Sequence, residues 1–349
     1  MKALVLHGDY DIRVEDRPVP SPGPSDVVVA VIATGICGSD FHGYSGENGR
    51  RHPGQIMGHE TVGRIQSVGS AVTGLDAGQL VTINPMMVCG SCDVCLAGRG
   101  QWCGRRVVLG VTPEPPAAFA DLVAVPATNI VVLPESMPAE LGALVEPMAV
   151  GYHAVRRGGI AADDRVLVIG GGPIGQACLM AARREGVTAV AVSDISPSRR
   201  ALCARLGANV IDPIESDLAT ATAEALGGPA TLVVDAVGIS RTLEDAFAAS
   251  GLGARIVLVG MGAPRVELPA YAVSTEERTL VGSFTYTAEE FAATAAWVGT
   301  VPEGIEALID GRVGWDGAPK SFDDLARGRT SASKILVFPQ GPPATEAGS

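Results

Sequence analysis

Two rhythms of apolar and polar positions divide the chain. Up to about residue 150 the apolar runs are short and are broken by Gly and Pro. Asp26–Thr34 reads DVVVAVIAT and Thr61–Gly69 reads TVGRIQSVG. Such runs predict short strands with tight turns, an all-β texture. From about residue 155 the pattern changes. RVLVIG (165–170) reads as a buried strand, and 173–185, opened by Pro173, has the pattern of a helix. AVAVSD (189–194) predicts a second strand and 198–206 a second helix. LVVD (232–235), a helix near 241–249, RIVLVG (255–260) and LVGSF (280–284) continue the series. Strands alternating with helices predict βαβ units and a parallel sheet. A short helix over 288–298 and a strand KILVF (334–338) follow, and the tail 341–349 reads as disordered.

The 349 residues suffice for two domains of ordinary size. Hydrophobic residues make up 47% and aromatics only 4%, so the core is built from Val, Leu, Ile and Ala. The net charge is −12, with no long Lys/Arg block. A duplex-binding protein needs a basic footprint, which argues against nucleic acid as a partner. The apolar run at 3–6 is too short for a signal-peptide core, and that at 27–36 too short for a membrane span. The expectation is a cytoplasmic protein. There, clustered cysteines are metal ligands more often than disulfides.

Four of the seven cysteines fall in CGSCDVCLAGRGQWC: Cys89, Cys92, Cys95 and Cys103. Two-residue spacing lets thiolates converge on one cation. Four of them complete a closed tetrahedral shell with no open position for substrate, so a structural zinc is expected. A redox loop would need only one C-x-x-C pair. A nucleic-acid-binding ribbon would carry stronger basic flanks than Arg99, Arg105 and Arg106.

A second motif, Gly170-Gly171-Gly172-Pro173-Ile174-Gly175, is a G-x-G-x-x-G that follows a strand and opens a helix. Gly170 permits the tight turn, Gly172 the approach of a pyrophosphate, and Gly175 close packing of helix on strand. Pro173 and Ile174 complete the cofactor turn. Asp194 ends the next strand, where a carboxylate accepts both ribose hydroxyls of NAD and repels the extra phosphate of NADP. Arg199 and Arg200 are near enough in sequence to complicate that preference. Their plainer reading is a solvated helix face, with Arg199 kept as a cofactor contact.

A quieter set is scattered. Cys37 sits in GICGSDFHG, His59 and Glu60 in GHETVG, and Glu146 in VEPMAVGYHAVRRGG. A catalytic zinc takes about three protein ligands and keeps one position open. A Cys, a His and a carboxylate would supply them. Singly, each has a plainer reading as a small core residue or a capping pair. Cys178 and Cys203 read as buried small residues, and His7, His52 and His153 as structural.

Together and in order, CGSD, GHETVG, the four-cysteine segment and GGGPIG resemble the zinc-dependent medium-chain dehydrogenases. The stretch from Glu146 through HAVRRGG and GGGPIG to Asp194 is most similar to their sorbitol (polyol) dehydrogenase branch. The resemblance implies an α/β protein with a GroES-like β-rich catalytic domain over 1–152, including a structural-zinc lobe at about 86–106. A Rossmann doubly wound parallel-sheet domain would span 153–286, and 287–349 would return to the catalytic domain and end in a flexible tail. The active cleft would lie between the domains. Two zincs per chain and NAD are implied as cofactors, with NADP the alternative.

The same resemblance implies Cys37 and His59 as catalytic-zinc ligands, with Glu60 and Glu146 both at the metal. Asp40 would orient the His59 ring. Ser39 would accept the alcohol proton and His42 would pass it to solvent. Zinc would acidify the alcohol hydroxyl and hydride would pass to the nicotinamide. The implied substrate is a secondary alcohol of a polyol, cyclitol or vicinal diol, oxidised reversibly to a ketone. Tyr44, Glu146, Glu47, Asn48 and Arg50 would meet its hydroxyls and Phe119 would form an apolar wall. The loop ENGRRHPG (47–54) departs from the sorbitol enzymes. Amino alcohols of the threonine type, aminocyclitols and NADP-linked ketone reduction therefore stay open. The implied partner is a second copy of the chain, as a dimer or tetramer. A noncatalytic dinucleotide-binding homologue is the reading from another class; the presence of Ser39 and every metal ligand disfavours it.

Overall fold

The computed structural model describes residues 1–47 and 49–343, so Asn48 and the tail beyond Pro343 lie outside the described residues. The chain forms two compact units, Met1–Glu146 with Phe291 onward, and Pro147–Glu290. The sequence placed the breaks after 152 and 286. The boundaries between the units fall inside helices, Val145–Arg157 and Ala288–Val298, so no loop marks either.

In the first unit, β1 (Lys2–Gly8) and β2 (Asp11–Asp16) form an antiparallel hairpin. β3 (Asp26–Gly35) leads into the short helix α1 (Gly38–Tyr44), and β4 (Glu60–Val68) and β5 (Leu80–Ile83) follow. The four-cysteine segment holds α2 (Asp93–Leu96) between the paired strands β6 (Met86–Met87) and β7 (Val107–Val108). After β8 (Leu122–Pro126) and β9 (Ile130–Val132), helix α3 (Val145–Arg157) carries the chain into the second unit.

The second unit alternates strand and helix. β10 (Arg165–Ile169), α4 (Pro173–Arg184), β11 (Ala189–Ser193) and α5 (Pro197–Arg205) come first. β12 (Asn209–Ile211), α6 (Leu218–Leu226), β13 (Ala230–Asp235) and α7 (Ser240–Ala249) follow. β14 (Ser250–Leu258), α8 (Ala270–Thr275) and β15 (Thr279–Gly282) complete the sheet. All its strands are parallel, in the order β12-β11-β10-β13-β14-β15. That is the doubly wound order with its switch point between β10 and β13, the place where sheets of this kind bind ligands. Cys178 and Cys203 are buried in α4 and α5, where burial pushes both thiols up to about 12.

Helix α9 (Ala288–Val298) returns the chain to the first unit, which gains β16 (Gly311–Val313), α10 (Ala318–Ala326) and β17 (Ile335–Val337). The main sheet there runs β16-β17-β3-β4-β5-β9. β3 is long enough to organise it. β4 lies along one edge of β3; β8 takes the other edge at Asp26–Ala30, and β17 takes it at Thr34 and Gly35. Val27, Val29 and Val31 of β3 point into one core with Ile65, Val81, Val123 and Val125, the period of two that a half-buried strand requires. Each such side chain contributes roughly 1.5–3 kcal/mol on burial. Among the described residues no helix is long and apolar enough to cross a membrane.

Candidate metal and cofactor sites

The four-cysteine segment closes on itself. Sγ of Cys92 lies 3.4 Å from that of Cys95 and 3.8 Å from that of Cys103, and Sγ of Cys89 lies 3.8 Å from Cys95. A tetrahedron with metal–sulfur bonds of about 2.3 Å has edges of about 3.8 Å, whereas a disulfide needs about 2.05 Å. The donor set therefore fits a tetrahedral thiophilic cation and no disulfide. Backbone N–H groups of Ser91 and Cys92 hold the Cys89 thiol down at about 5. Cys103 is lowered by the N–H groups of Cys89 and Arg105. Burial and the neighbouring thiols push Cys95 up to about 12. Four sulfurs crowded together cannot all ionise without a cation, and a metal supplies the missing positive charge. Cys95→Ser is expected to cost one zinc per chain and lower the unfolding temperature. Metal analysis with a thermal melt checks it; loss of catalysis with both zincs and the melt intact would refute the closed-site role.

A second donor cluster forms where three distant segments meet one end of β3. The antiparallel register pairs Gly35 with Glu60, and β17 pairs Leu336 with the same Gly35. Cys37, His59 and Glu60 thereby offer ligand atoms within 4.8 Å of one another. His59 and Glu60 are buried. Asp40 is fully buried in α1; its Oδ2 accepts the Cys37 N–H at 3.1 Å and its Oδ1 lies 3.6 Å from His59 Nδ1. Both of those last atoms are buried without a hydrogen-bond partner. Burial pushes the Asp40 carboxyl above its ordinary range, against the pull of His59 and Arg51. Burial also disfavours a charged His59, yet Asp40 and then Cys37 raise it to about 10. A thiol, an imidazole and a carboxylate gathered within 4.8 Å, with the imidazole turned to Asp40 on one side and to the Cys37 thiol on the other, fit a divalent cation. Glu146, at the start of α3, is buried outside that 4.8 Å cluster, but its charge reaches His59 and Lys334.

Two residues that sequence reasoning missed complete the surroundings. Lys334, just before β17, is 3% exposed, with Nζ 2.7 and 2.5 Å from the two oxygens of Glu60. Gly35 leaves room for the pair, since a Cβ there would lie 2.2 Å from Glu60 Oε2. Arg51 runs beneath α1, donating to Val111 O at 3.0 Å and approaching Ser39 O and Oγ at 3.3 and 3.4 Å.

In the second unit the glycine turn behaves as its spacing predicts. Gly170 has φ +97°, and a Cβ on Gly175 would lie 1.7 Å from Gly170 O. A Cβ on Gly172 would meet only Arg199, at 3.8 Å, so the backbone there is open to a phosphate group. Asp194 accepts the N–H of Gly171 at 2.7 Å through Oδ2 and of Ser196 at 2.7 Å through Oδ1. Arg199 Nη1 stands 3.8 Å from Asp194 Oδ2, so this arginine borders the glycine turn rather than only solvent. Pro173 and Ile174 open α4.

Residues 23–135 match the alcohol dehydrogenase GroES-like domain and residues 173–300 the zinc-binding dehydrogenase domain. D-xylulose reductase A of Aspergillus niger is 31% identical over 94% of both chains. Sorbitol dehydrogenase of Ovis aries is 33% identical over 81% of this chain and 82% of its own. The structure of 2R,3R-butanediol dehydrogenase from Bacillus subtilis superposes with a TM-score of 0.88 at 28% identity, covering 97% of this chain and 99% of that one. The chain belongs to the zinc-binding dehydrogenase family. It is an alcohol or polyol dehydrogenase with a GroES-like and a Rossmann domain, as its motifs implied.

Two expected substrate contacts of the dehydrogenase need correction. Tyr44 and Phe119 are 4% and 1% exposed and belong to one hydrophobic core. Both rings meet Phe322 edge-on, and the Tyr44 hydroxyl donates to Tyr10 O at 3.2 Å. Apolar packing between β1, α1 and α10 claims them, so neither forms an open pocket wall. Glu47 is turned to His42, with Oε2 2.6 Å from Nδ1. Asn48 lies outside the described residues. His153 is structural, its Nδ1 2.7 Å from Glu290 Oε2.

Proposed function

We propose that the enzyme oxidises a secondary alcohol of a polyol, cyclitol or vicinal diol to the ketone, reversibly, with NAD as the hydride acceptor. The observation that carries this reading is the Cys37–His59–Glu60 donor cluster, with Cys37 half-buried and the other two buried, two residues from Ser39 in the chain. The names of the relatives, a xylulose reductase, a sorbitol dehydrogenase and a butanediol dehydrogenase, support the substrate class. When bound, zinc supplies the Lewis acidity that makes an alcohol hydroxyl acidic near neutral pH, and the nicotinamide supplies the hydride acceptor.

The chain's own residues do the rest. Cys37, His59 and Glu60 would hold the catalytic zinc, with Glu146 as a further carboxylate at the metal. Asp40 fixes the His59 ring so that its other nitrogen serves as a ligand. Ser39 takes the alcohol proton and His42 releases it to water. Cys89, Cys92, Cys95 and Cys103 hold a second, structural zinc. Gly170, Gly172 and Gly175 receive the pyrophosphate and Asp194 the ribose.

Asp194 is the basis for NAD over NADP. Asp194→Ser should lower kcat/KM for NAD by roughly ten- to a hundredfold, the worth of a charge-assisted hydrogen bond, and narrow the gap to NADP. An unchanged ratio of the two specificities would refute that role. We place the enzyme in the cytoplasm, where free thiols such as Cys178 and Cys203 stay reduced. We also propose a homo-oligomer, dimer or tetramer. β15 ends its sheet with Thr279 and Leu280 exposed, and Leu252 and Tyr271 are 82% and 88% exposed. An apolar, unpaired strand edge favours cover by a second copy.

The test is NADH formation over a panel of polyols, cyclitols, diols and amino alcohols. Turnover of a polyol or diol is expected. Nucleotide binding without turnover of any alcohol would favour the noncatalytic reading instead.

A further inference from the structure

We propose that Glu47 is a positioning residue for His42, holding its imidazole in the tautomer whose Nε2 is free to take up the alcohol's proton. The proposal rests on the relay assigned above to Ser39 and His42. α1 puts these two at i and i+3, one helical turn apart and neighbours on one face. Nδ1 of His42 lies 2.6 Å from Oε2 of Glu47, and the two side chains are 53% and 58% exposed. A pair so exposed adds little to folding. Its effect falls instead on where the ring keeps its proton.

A neutral imidazole carries one N–H and one bare nitrogen, and a carboxylate can only accept. Facing Glu47, the ring keeps its proton on Nδ1 and its lone pair on Nε2. When Nε2 takes a proton from the Ser39 side, the Nδ1–H stays donated to Glu47 and the ring keeps its orientation. The ring then releases a proton to bulk water and returns to the same neutral tautomer, so the cycle balances. Solvent exposure of both groups lets this exchange proceed without a further protein group. The backbone is shaped for the contact. Gly46 has φ +79°, and a Cβ there would lie 2.6 Å from the Asp9 carboxylate, so glycine lets the turn bring Glu47 back over the end of α1. The Phe41 ring, 4.6 Å from that of His42 between centroids, limits its rotation.

Heteronuclear NMR of the zinc-loaded protein is expected to show His42 as the Nδ1–H tautomer. Glu47→Gln, which can donate or accept, should mix the two tautomers, and Glu47→Asp should restore the first in part. With whichever of xylitol, sorbitol or butanediol is turned over fastest, Glu47→Gln should lower kcat about three- to tenfold at unchanged KM, and His42→Gln by about tenfold or more. The double variant should lose no more than His42→Gln alone, because Glu47 acts only through that ring. An unmixed tautomer in Glu47→Gln, or additive losses in the double variant, overturns the role of Glu47 and leaves the relay standing. Wild-type kcat in His42→Gln overturns the relay itself and the proposal with it.

Discussion

Cys37→Ser is expected to give a folded dehydrogenase that keeps the lobe zinc, loses the other, and oxidises alcohols about three to four orders of magnitude more slowly. The size follows from the chemistry removed. A Lewis acid is worth several kcal/mol to the transition state, and each 1.4 kcal/mol is about tenfold in rate. The folding claim follows from position. Cys37 is the N-cap of α1, where its N–H donates to Asp40 Oδ2. Serine is a preferred N-cap residue, so the helix should persist while the thiolate ligand is gone. Circular dichroism, metal analysis and steady-state rates on one preparation decide it. Near wild-type turnover would remove Cys37 from the catalytic site. Loss of both zincs would mean that the two donor sets are not independent.

The two donor clusters differ in how far the sequence reveals them, and chain separation explains the difference. The four thiols of the lobe lie within fifteen residues, so local spacing alone brings them together. The catalytic donors are assembled by sheet register instead. Only the pairing of Gly35 with Glu60 puts Cys37 beside His59, and nothing local announces that pairing. Family resemblance points to Cys37, His59 and Glu60, which the fold brings together. It did not locate Lys334, which is 274 residues from Glu60 and reads as an ordinary lysine ahead of an apolar run. Arg51 was likewise hidden among the polar residues of its loop. Tyr44 and Phe119 show the opposite error. The resemblance implies Tyr44 as a hydroxyl contact and Phe119 as an apolar wall, and core packing with Phe322 claims both.

In the Rossmann unit, strands β10, β11 and β13 and helices α4, α5 and α7 match their sequence patterns because each has a continuous apolar run or a marked start. β12 does not, having three residues with only Ile211 buried. α6 reads LATATAEAL, too rich in Ala and Thr to show a strong period, though Asp217 caps its start and Gly227, at φ +74°, its end. α3 was missed because its first turn, Glu146 and Pro147, was read for chemistry rather than for the helix-starting signal it also carries.

Lys334→Met is expected to destabilise the metal-free protein by about 3–5 kcal/mol, the cost of leaving a buried charge without its partner. Glu60 is 1% exposed and both its oxygens face the ammonium group. Without Lys334 the Glu60 carboxylate loses the ammonium group that faces both its oxygens, while Glu146 adds charge of the same sign. A divalent cation becomes the remaining counter-charge, so zinc should bind this site more tightly in the variant. The deficit in unfolding free energy should therefore shrink when zinc is added. Denaturant unfolding of wild type and variant, each stripped and zinc-loaded, measures this difference of differences, and the lobe zinc cancels because both chains share it. An equal deficit with and without zinc would show that Glu60 does not answer to the metal, leaving Glu146 as the carboxylate at the catalytic zinc. A smaller deficit in the loaded protein would instead make Lys334 the competitor that holds Glu60 back from the cation, so that one buried lysine tunes how firmly the catalytic metal is held.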